Sequence, residues 1–409
     1  MSDLLANFQT LWAQIAPIGL RRDGGYDRFA WTETDRALRE WFGRAAAERE
    51  LAVEQDRNGN LWAWWGHDPT RAGPPDGAIA TGSHLDSVPS GGAYDGALGV
   101  VSAFLALDEL RTRRERPAKP LAVVDFAEEE GARFGVACLG SRLSTGTMDP
   151  DRARSLRDVE GTSLAEAMHA GGADPGAIGA DDDRTARLEA FVELHVEQGR
   201  GLGATGSAVG VATGIWPHGR WRLRFDGEAN HAGTARLDDR RDPMLPFAST
   251  VAAARDAARA HRGLATVGRA AVQPNATNAV AASVDAWLDA RAPDGAALEA
   301  IVSDVHAVAT SAAREHGVEL AVAEESRTAG VTLDRALRSR VVDALGGLPE
   351  LATGAGHDAG ILAAKLPTAM LFVRNPTGVS HSPEEHASAE DCAEGVRALA
   401  RVLDELVWG

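Results

Sequence analysis

"GAIATGSHLD", residues 77–86, is an apolar run that ends in an imidazole and a carboxylate. It is followed by residues 97–113, "ALGVVSAFLALDELRTR", and then by residues 120–130, "PLAVVDFAEEE". The first reads as a short strand, the second as a helix, and the third as a buried strand closed by acids. Strand, helix, strand predicts a parallel sheet whose strand ends gather the polar residues. In open α/β sheets those ends are where sites form.

Upstream, "TDRALREWFGRAAA" has helical spacing. Downstream, the texture changes near Gly214. There "GRWRLRFDGEA" alternates like a half-exposed strand, and "DPMLPFASTVAAARDAARAHR" reads as a long helix. "LATVGRAAVQP" and "NAVAASVDAWLDAR" read as strands, "DGAALEAIVSDVHAVATSAAREHG" as a helix and "VELAVAEES" as a last strand. The order β-α-β-β-α-β is the split βαβ pattern, one antiparallel sheet with helices on one face. A chain of 409 residues also exceeds one ordinary core and predicts two domains. We therefore expect an α/β domain with a mixed sheet from residues 1–213 and 329–409. A ferredoxin-like α+β domain, 214–328, is inserted into it.

Composition narrows the chemistry. A formal charge of −17 argues against nucleic-acid binding, because a phosphate-tracking surface needs clustered cations. The densest basic run, Arg111 to Arg116, reads as a solvated helix end. Cys138 and Cys392 are the two cysteines and form no CxxC pair, so a disulfide framework is not expected and a reducing compartment is. The opening "MSDLLANFQTLWAQIAPIGL", with Asp3 early, reads as an amphipathic helix and not as a signal peptide. No membrane span is expected, and the expected location is cytoplasmic. Lys119 and Lys365 are the only lysines, and neither has the setting of a Schiff-base or P-loop lysine.

The side chains at the apparent strand ends carry the chemistry. A lone His-x-Asp such as His84 and Asp86 is more often an ordinary exposed pair. Here, however, similar groups recur: Asp95, then Glu128, Glu129 and Glu130, then Glu193, His195 and Glu197, then His381. They supply imidazole and carboxylate oxygen and no thiolate, which suits Zn²⁺, Mn²⁺ or Co²⁺. One carboxylate can bridge two ions at roughly 3.5–4 Å, the spacing for clamping one hydrolytic water. Three adjoining acids raise one another's pKa unless a cation offsets them, and one left free can act as a general base. Glycines around His84 and Asp95 allow close approach where a Cβ would intrude.

Nine ordered motifs run through nearly the whole chain: "GSHLDSV", "GGAYDGALGV", "EEEGARF", "ELHVEQG", "GEANHAGT", "PNATN", "LDAR", "GAGHDA" and "SHSPEE". Together they resemble the hydantoinase/carbamoylase branch of the M20 metallopeptidase clan, which includes allantoate amidohydrolases, N-carbamoyl-L-amino-acid hydrolases and β-ureidopropionases. The resemblance implies that the first domain is the metal-binding catalytic domain and the inserted one a lid and dimerisation element. It also implies two divalent ions per subunit. His84, Asp95 and His195 would hold one and Asp95, Glu130 and His381 the other, with Asp95 as the bridge. It implies Glu129 as general base, Asp86 orienting the His84 imidazole, and Glu128 as a structural acid. A histidine at position 195 matches the carbamoylase branch, where peptidase members place an acid.

From the inserted domain, His231 resembles the histidine that reaches a neighbouring subunit's site to hold the oxyanion, which implies a homodimer. Arg291 resembles the arginine that grips the substrate carboxylate. Gln198 and Asn278 resemble neutral substrate contacts, and His357 lies in the "GAGHDA" loop beside them. The implied reaction is hydrolysis of a ureido group on a small carboxylate, allantoate first and an N-carbamoyl-L-amino acid second. An N-formyl or other N-acyl amino acid comes third, and an inactive small-molecule binder is the alternative of another class. No GxSxG elbow favours a serine hydrolase. The chain departs from the family pattern at Ala235, Arg236 and Leu237, and again at Trp216, His218 and Arg220. The extra cation Arg220 leads us to expect a substrate with a second carboxylate or a second polar arm.

Overall fold

A computed structural model describes residues 4–67 and 75–409; Asp3 lies outside the described residues. The chain forms two compact units, one running to Thr213 and resuming at Thr332, the other comprising Gly214–Val331.

The first unit is built on a nine-stranded mixed sheet. Its centre is parallel: Ala78–His84 runs between Leu121–Phe126 and Leu188–Val196 and parallel to both, and Thr368–Val373 extends the parallel set beyond Leu188–Val196. Leu61–Trp65 and Val209–Ile215 flank these strands in antiparallel pairing. The central strands are buried along almost their whole length, as parallel strands covered on both faces must be, and this explains their unbroken apolar runs. Helix Ala97–Arg111, almost wholly buried, crosses between the first two and shares a core with the C-terminal helix Ala389–Trp408. Because the four strands are parallel, their C-terminal ends lie along one edge. That geometry brings together His84, the acids after Phe126, His195 and the segment that leads to His381.

Short helices between residues 139 and 170 pack on a satellite core of Phe134, Leu139, Leu143, Leu164 and Met168.

The second unit has a four-stranded antiparallel sheet in the order Glu319–Thr328, His218–Asp226, Ser283–Arg291, Leu264–Gln273. Chain order and sheet order together are those of the split βαβ arrangement. Alternation in "HGRWRLRFD" sends Trp221, Leu223 and Phe225 into a core with Leu298, Ile301 and Val305 of helix Gly295–Glu315, while Arg220, Arg222 and Arg224 face the other way. Glu319–Thr328 pairs to its last residue with His218, and the compact unit closes at Val331. The stretch "NAVAASVDAWLDAR" is not one strand. Ala279–Val280 pairs with Asn230–His231, and the main strand starts at Ser283 after Ala282 has donated to Gln273.

Candidate active site

Asp95 lies at the centre of the first unit's site. It is buried, and its two oxygens face two different sets of partners. Oδ1 lies 3.1 Å from His195 Nε2 and 3.6 Å from His84 Nε2. Oδ2 lies 3.3 Å from His381 Nε2, which is itself 3.4 Å from Glu130 Oε2. The structure thus gathers two groups of possible metal ligands that share Asp95: His84, Asp95, His195 and Asp95, Glu130, His381.

The donor set can be tested against divalent ions. His84 Nε2 and Glu130 Oε1 are buried and have no hydrogen-bond partner, a costly arrangement that a cation relieves. His84 and His195 turn their Nδ1 atoms to the carbonyls of Asp86 (3.1 Å) and Val196 (2.8 Å), so each presents Nε2 to Asp95. The Gly96 amide also lies 3.2 Å from His195 Nε2 and must yield that nitrogen to an ion. Gly96 has a φ of 64°, and a Cβ there would be driven into the His84 ring. The residues present fit divalent cations.

Electrostatics point the same way. Burial pushes Glu129 up to about 7 and Glu128 up to about 8, and Asp86's charge adds to both. Glu130 is raised well above the ordinary carboxylate range, by burial and then by Asp95 and Glu129. Asp95 goes the other way: the imidazoles of His195, His381 and His84 beside it overcome its burial and hold it well below that range. His195 is lifted to about 9, since Asp95 outweighs the effect of burial. A dication among these three glutamates would offset the upward shift that burial and mutual repulsion impose on them.

Around this centre the remaining polar side chains hold backbone and one another. The Asp86 carboxylate lies 3.4 Å from His84 Nδ1, but its oxygens accept the backbone N–H groups of Glu129 (3.1 Å) and Glu130 (3.0 Å). It anchors the acid turn more closely than it does the imidazole. Glu128 accepts from the amides of Arg133 and Phe134, as a structural acid should. Glu197 caps the short helix Gly201–Thr205, and Glu193 braces Ser83 and the Ala359 amide, so neither faces the Asp95 oxygens. Gln198 donates to Asp95 Oδ2 at 2.9 Å and to Ser380 at 3.2 Å, leaving its own carbonyl oxygen without a partner. His357 is buried edge-on to His195 with Nε2 unpartnered, and burial followed by the charge of His195 holds its pKa well below the ordinary value.

One residue that sequence reasoning missed is Glu385. It is buried, and its Oε1 accepts the amides of Tyr94 (2.8 Å) and Asp95 (2.9 Å) while its Oε2 accepts Ser380 Oγ at 3.0 Å. It therefore ties the Asp95 loop to the His381 loop. The signal was the second glutamate of "SHSPEE", which no spacing argument singles out.

In the second unit, His231 and Asn278 are exposed neighbours: His231 pairs with Ala279, and the Asn278 carbonyl accepts from Ala232. Arg291 is at the far end of the sheet, opposite His218. Its Nε donates to Asp289 Oδ1 at 2.9 Å, and Arg220 donates to the other Asp289 oxygen at 3.3 Å. Arg220 and Arg291 thus meet on one carboxylate, Asp289. Ala235 to Leu237 lead into an exposed 3₁₀ turn, Leu237–Asp239.

Residues 80–405 match the peptidase family M20/M25/M40. Over 96% of each chain the protein is 33% identical to an allantoate amidohydrolase of Bacillus subtilis. It is 34% identical to an N-carbamoyl-L-amino acid amidohydrolase of Geobacillus stearothermophilus over 98% of this chain and 99% of that one. Among solved structures, a hydantoinase/carbamoylase family amidase from Burkholderia multivorans superposes with a TM-score of 0.87 at 30% identity, over 99% of this chain and 98% of the other. No helix among the described residues is long and apolar enough to cross a membrane.

Proposed function

The chain belongs to the peptidase family M20/M25/M40 and is an amidohydrolase of that family; from that premise we propose that it hydrolyses the ureido group of a small monocarboxylate, with allantoate as first substrate and N-carbamoyl-L-amino acids as second. The observation that carries the reading is the division of Asp95 between two imidazole sets beside a carboxylate, Glu129, whose Oε2 lies 3.7 Å from His84 Nε2. Relatives named for both substrate types support the choice.

His84, Asp95 and His195 would hold one divalent ion and Asp95, Glu130 and His381 the other, Zn²⁺, Mn²⁺ or Co²⁺ being the class these donors suit. When bound, such ions polarise the scissile carbonyl and make water acidic enough to attack near neutral pH. Glu129 takes the proton of the attacking water and returns it to the leaving nitrogen. A C–O bond forms at the carbamoyl carbon, the C–N bond to the terminal amide breaks, ammonia leaves, and the remaining carbamate loses carbon dioxide. Asp86 holds the Glu129 and Glu130 amides in place. Arg291 takes the substrate carboxylate as a fork, while Gln198, Asn278 and His357 supply neutral contacts.

His231 stabilises the oxyanion from a second copy of the chain. Strand Ser283–Arg291, nine residues long, spans about 26 Å at roughly 3.3 Å per residue. His231 and Asn278 lie beyond its first residue and Arg291 is its last, so one small substrate does not touch both ends of the same sheet. This separation supports a homodimer in which the second unit serves as lid and dimerisation element. The test is ammonia release from allantoate and N-carbamoyl-L-amino acids, and free-amine release from N-formyl-L-amino acids. Free amine from the N-formyl compounds alone would keep the mechanism and replace the substrate class, and no turnover of any would remove the reading.

A further inference from the structure

Cys138 is buried, and its Sγ lies 3.1 Å from Glu129 Oε1. The contact is set by backbone. Cys138 N donates to the Glu129 carbonyl at 2.5 Å, Leu139 N to that of Glu128 at 3.0 Å, and Gly140 N to that of Ala127 at 2.9 Å. Residues 138–140 thus run back along 127–129 in register. Cys138 takes a left-handed conformation, φ 55°, at the start of helix Leu139–Thr145. A non-glycine residue held there is uncommon, and in this case it turns the side chain onto the acid.

We infer that Cys138 is a positioning residue for the reaction, its S–H donating to Glu129 Oε1 so that Oε2 alone is left to accept the proton of the attacking water. Burial pushes the thiol well above its ordinary value, so it remains a donor and not a thiolate. Oε2 is then the oxygen turned toward His84 Nε2, at 3.7 Å. Without the donor, the carboxylate is free to rotate about its terminal torsion, which is broad for a glutamate. Small displacements of a catalytic group are costly in rate. The inference rests on Glu129 being the base, and the test separates the two.

Cys138→Ala and Cys138→Ser are compared with the parent protein on the ureido substrate, at saturating metal. Loss of the donor lowers kcat roughly tenfold or more, with KM changed less than about twofold, and serine, which keeps a donor, recovers most of the loss. Unchanged kcat in the alanine variant overturns the inference. So does a serine variant that falls as far as alanine, since packing and not donation would then be at work. Infrared spectroscopy of the parent protein gives a readout that needs neither variant to be active. The Cys138 S–H stretching band, identified against Cys138→Ser, moves to higher frequency in Glu129→Gln if the thiol is bonded to the carboxylate, and an unmoved band overturns the inference. Glu129→Gln that retains turnover removes the base assignment instead, whatever the band does.

Discussion

Replacing Glu385 by alanine should loosen the loop that carries Asp95 and weaken metal binding without touching a proposed ligand. Glu385 holds two backbone N–H groups, those of Tyr94 and Asp95, and the Ser380 hydroxyl. A buried donor left unpaired costs about 1–3 kcal/mol, so the two amides together place about 2–6 kcal/mol on the order of this loop. His381, at φ 55°, sits in a left-handed conformation one residue beyond Ser380, so the second loop loses support where its backbone is least relaxed. An ion that must reorder these loops binds roughly 30-fold or more weakly, since each 1.4 kcal/mol is a factor of ten. Glu385→Gln is the control. Its amide oxygen still accepts both N–H groups, and the repulsion from Asp95, which together with burial raises the Glu385 carboxyl, is removed. Hydrogen exchange at the Tyr94 and Asp95 amides, read beside calorimetric titration of the stripped protein with Zn²⁺ or Mn²⁺, measures both effects. Parental protection and parental affinity in the alanine variant would refute the reasoning.

Glu129→Gln should keep its metal content and lose kcat by roughly 100-fold or more. In the parent protein kcat/KM should fall on the acid side as Glu129 takes up its proton. Burial raises that carboxyl from 4.5 to about 7, and bound dications pull it back, so the midpoint lies between those values; a rate flat across that window would exclude this base. Arg291→Ala should raise KM for ureido carboxylates roughly 10–100-fold. Arg220→Ala should change KM equally for mono- and dianionic substrates, because Asp289 already neutralises Arg220, and a selective loss for dianions would restore the two-carboxylate reading. Mixing His231→Ala with Glu129→Gln subunits should recover about a quarter of parental activity, one parental-type site in half of the dimers. No recovery would place His231 within its own subunit's site.

Much of this was legible because parallel strands make long apolar runs with polar ends. "PLAVVDFAEEE" and "FVELHVEQG" announced both the sheet and the acids at its edge. The alternation in "GRWRLRFDGEA" gave the second unit for the same reason. Residues 131–187 were not legible: their helices are six or seven residues long, too short for a 3.6-residue period to stand out, and the apolar residues of their small core are scattered. Arg220 looked free in the sequence because its partner Asp289 is 69 residues away and meets it only through strand register. Asp86 and Glu385 show the same limit. Their types and places were visible, but the backbone amides they hold depend on how four strand ends converge.

The proposed hydrolysis needs both ion sites that share Asp95. Turnover of the ureido substrate by metal-stripped protein is followed as Mn²⁺, Zn²⁺ or Co²⁺ is returned, with bound metal counted at each addition. The stripped protein should release no ammonia, and the rate should level off at two ions per subunit, with Asp95→Asn failing to reach it. Full turnover without metal, or an Asp95→Asn variant that performs as the parent, would contradict it.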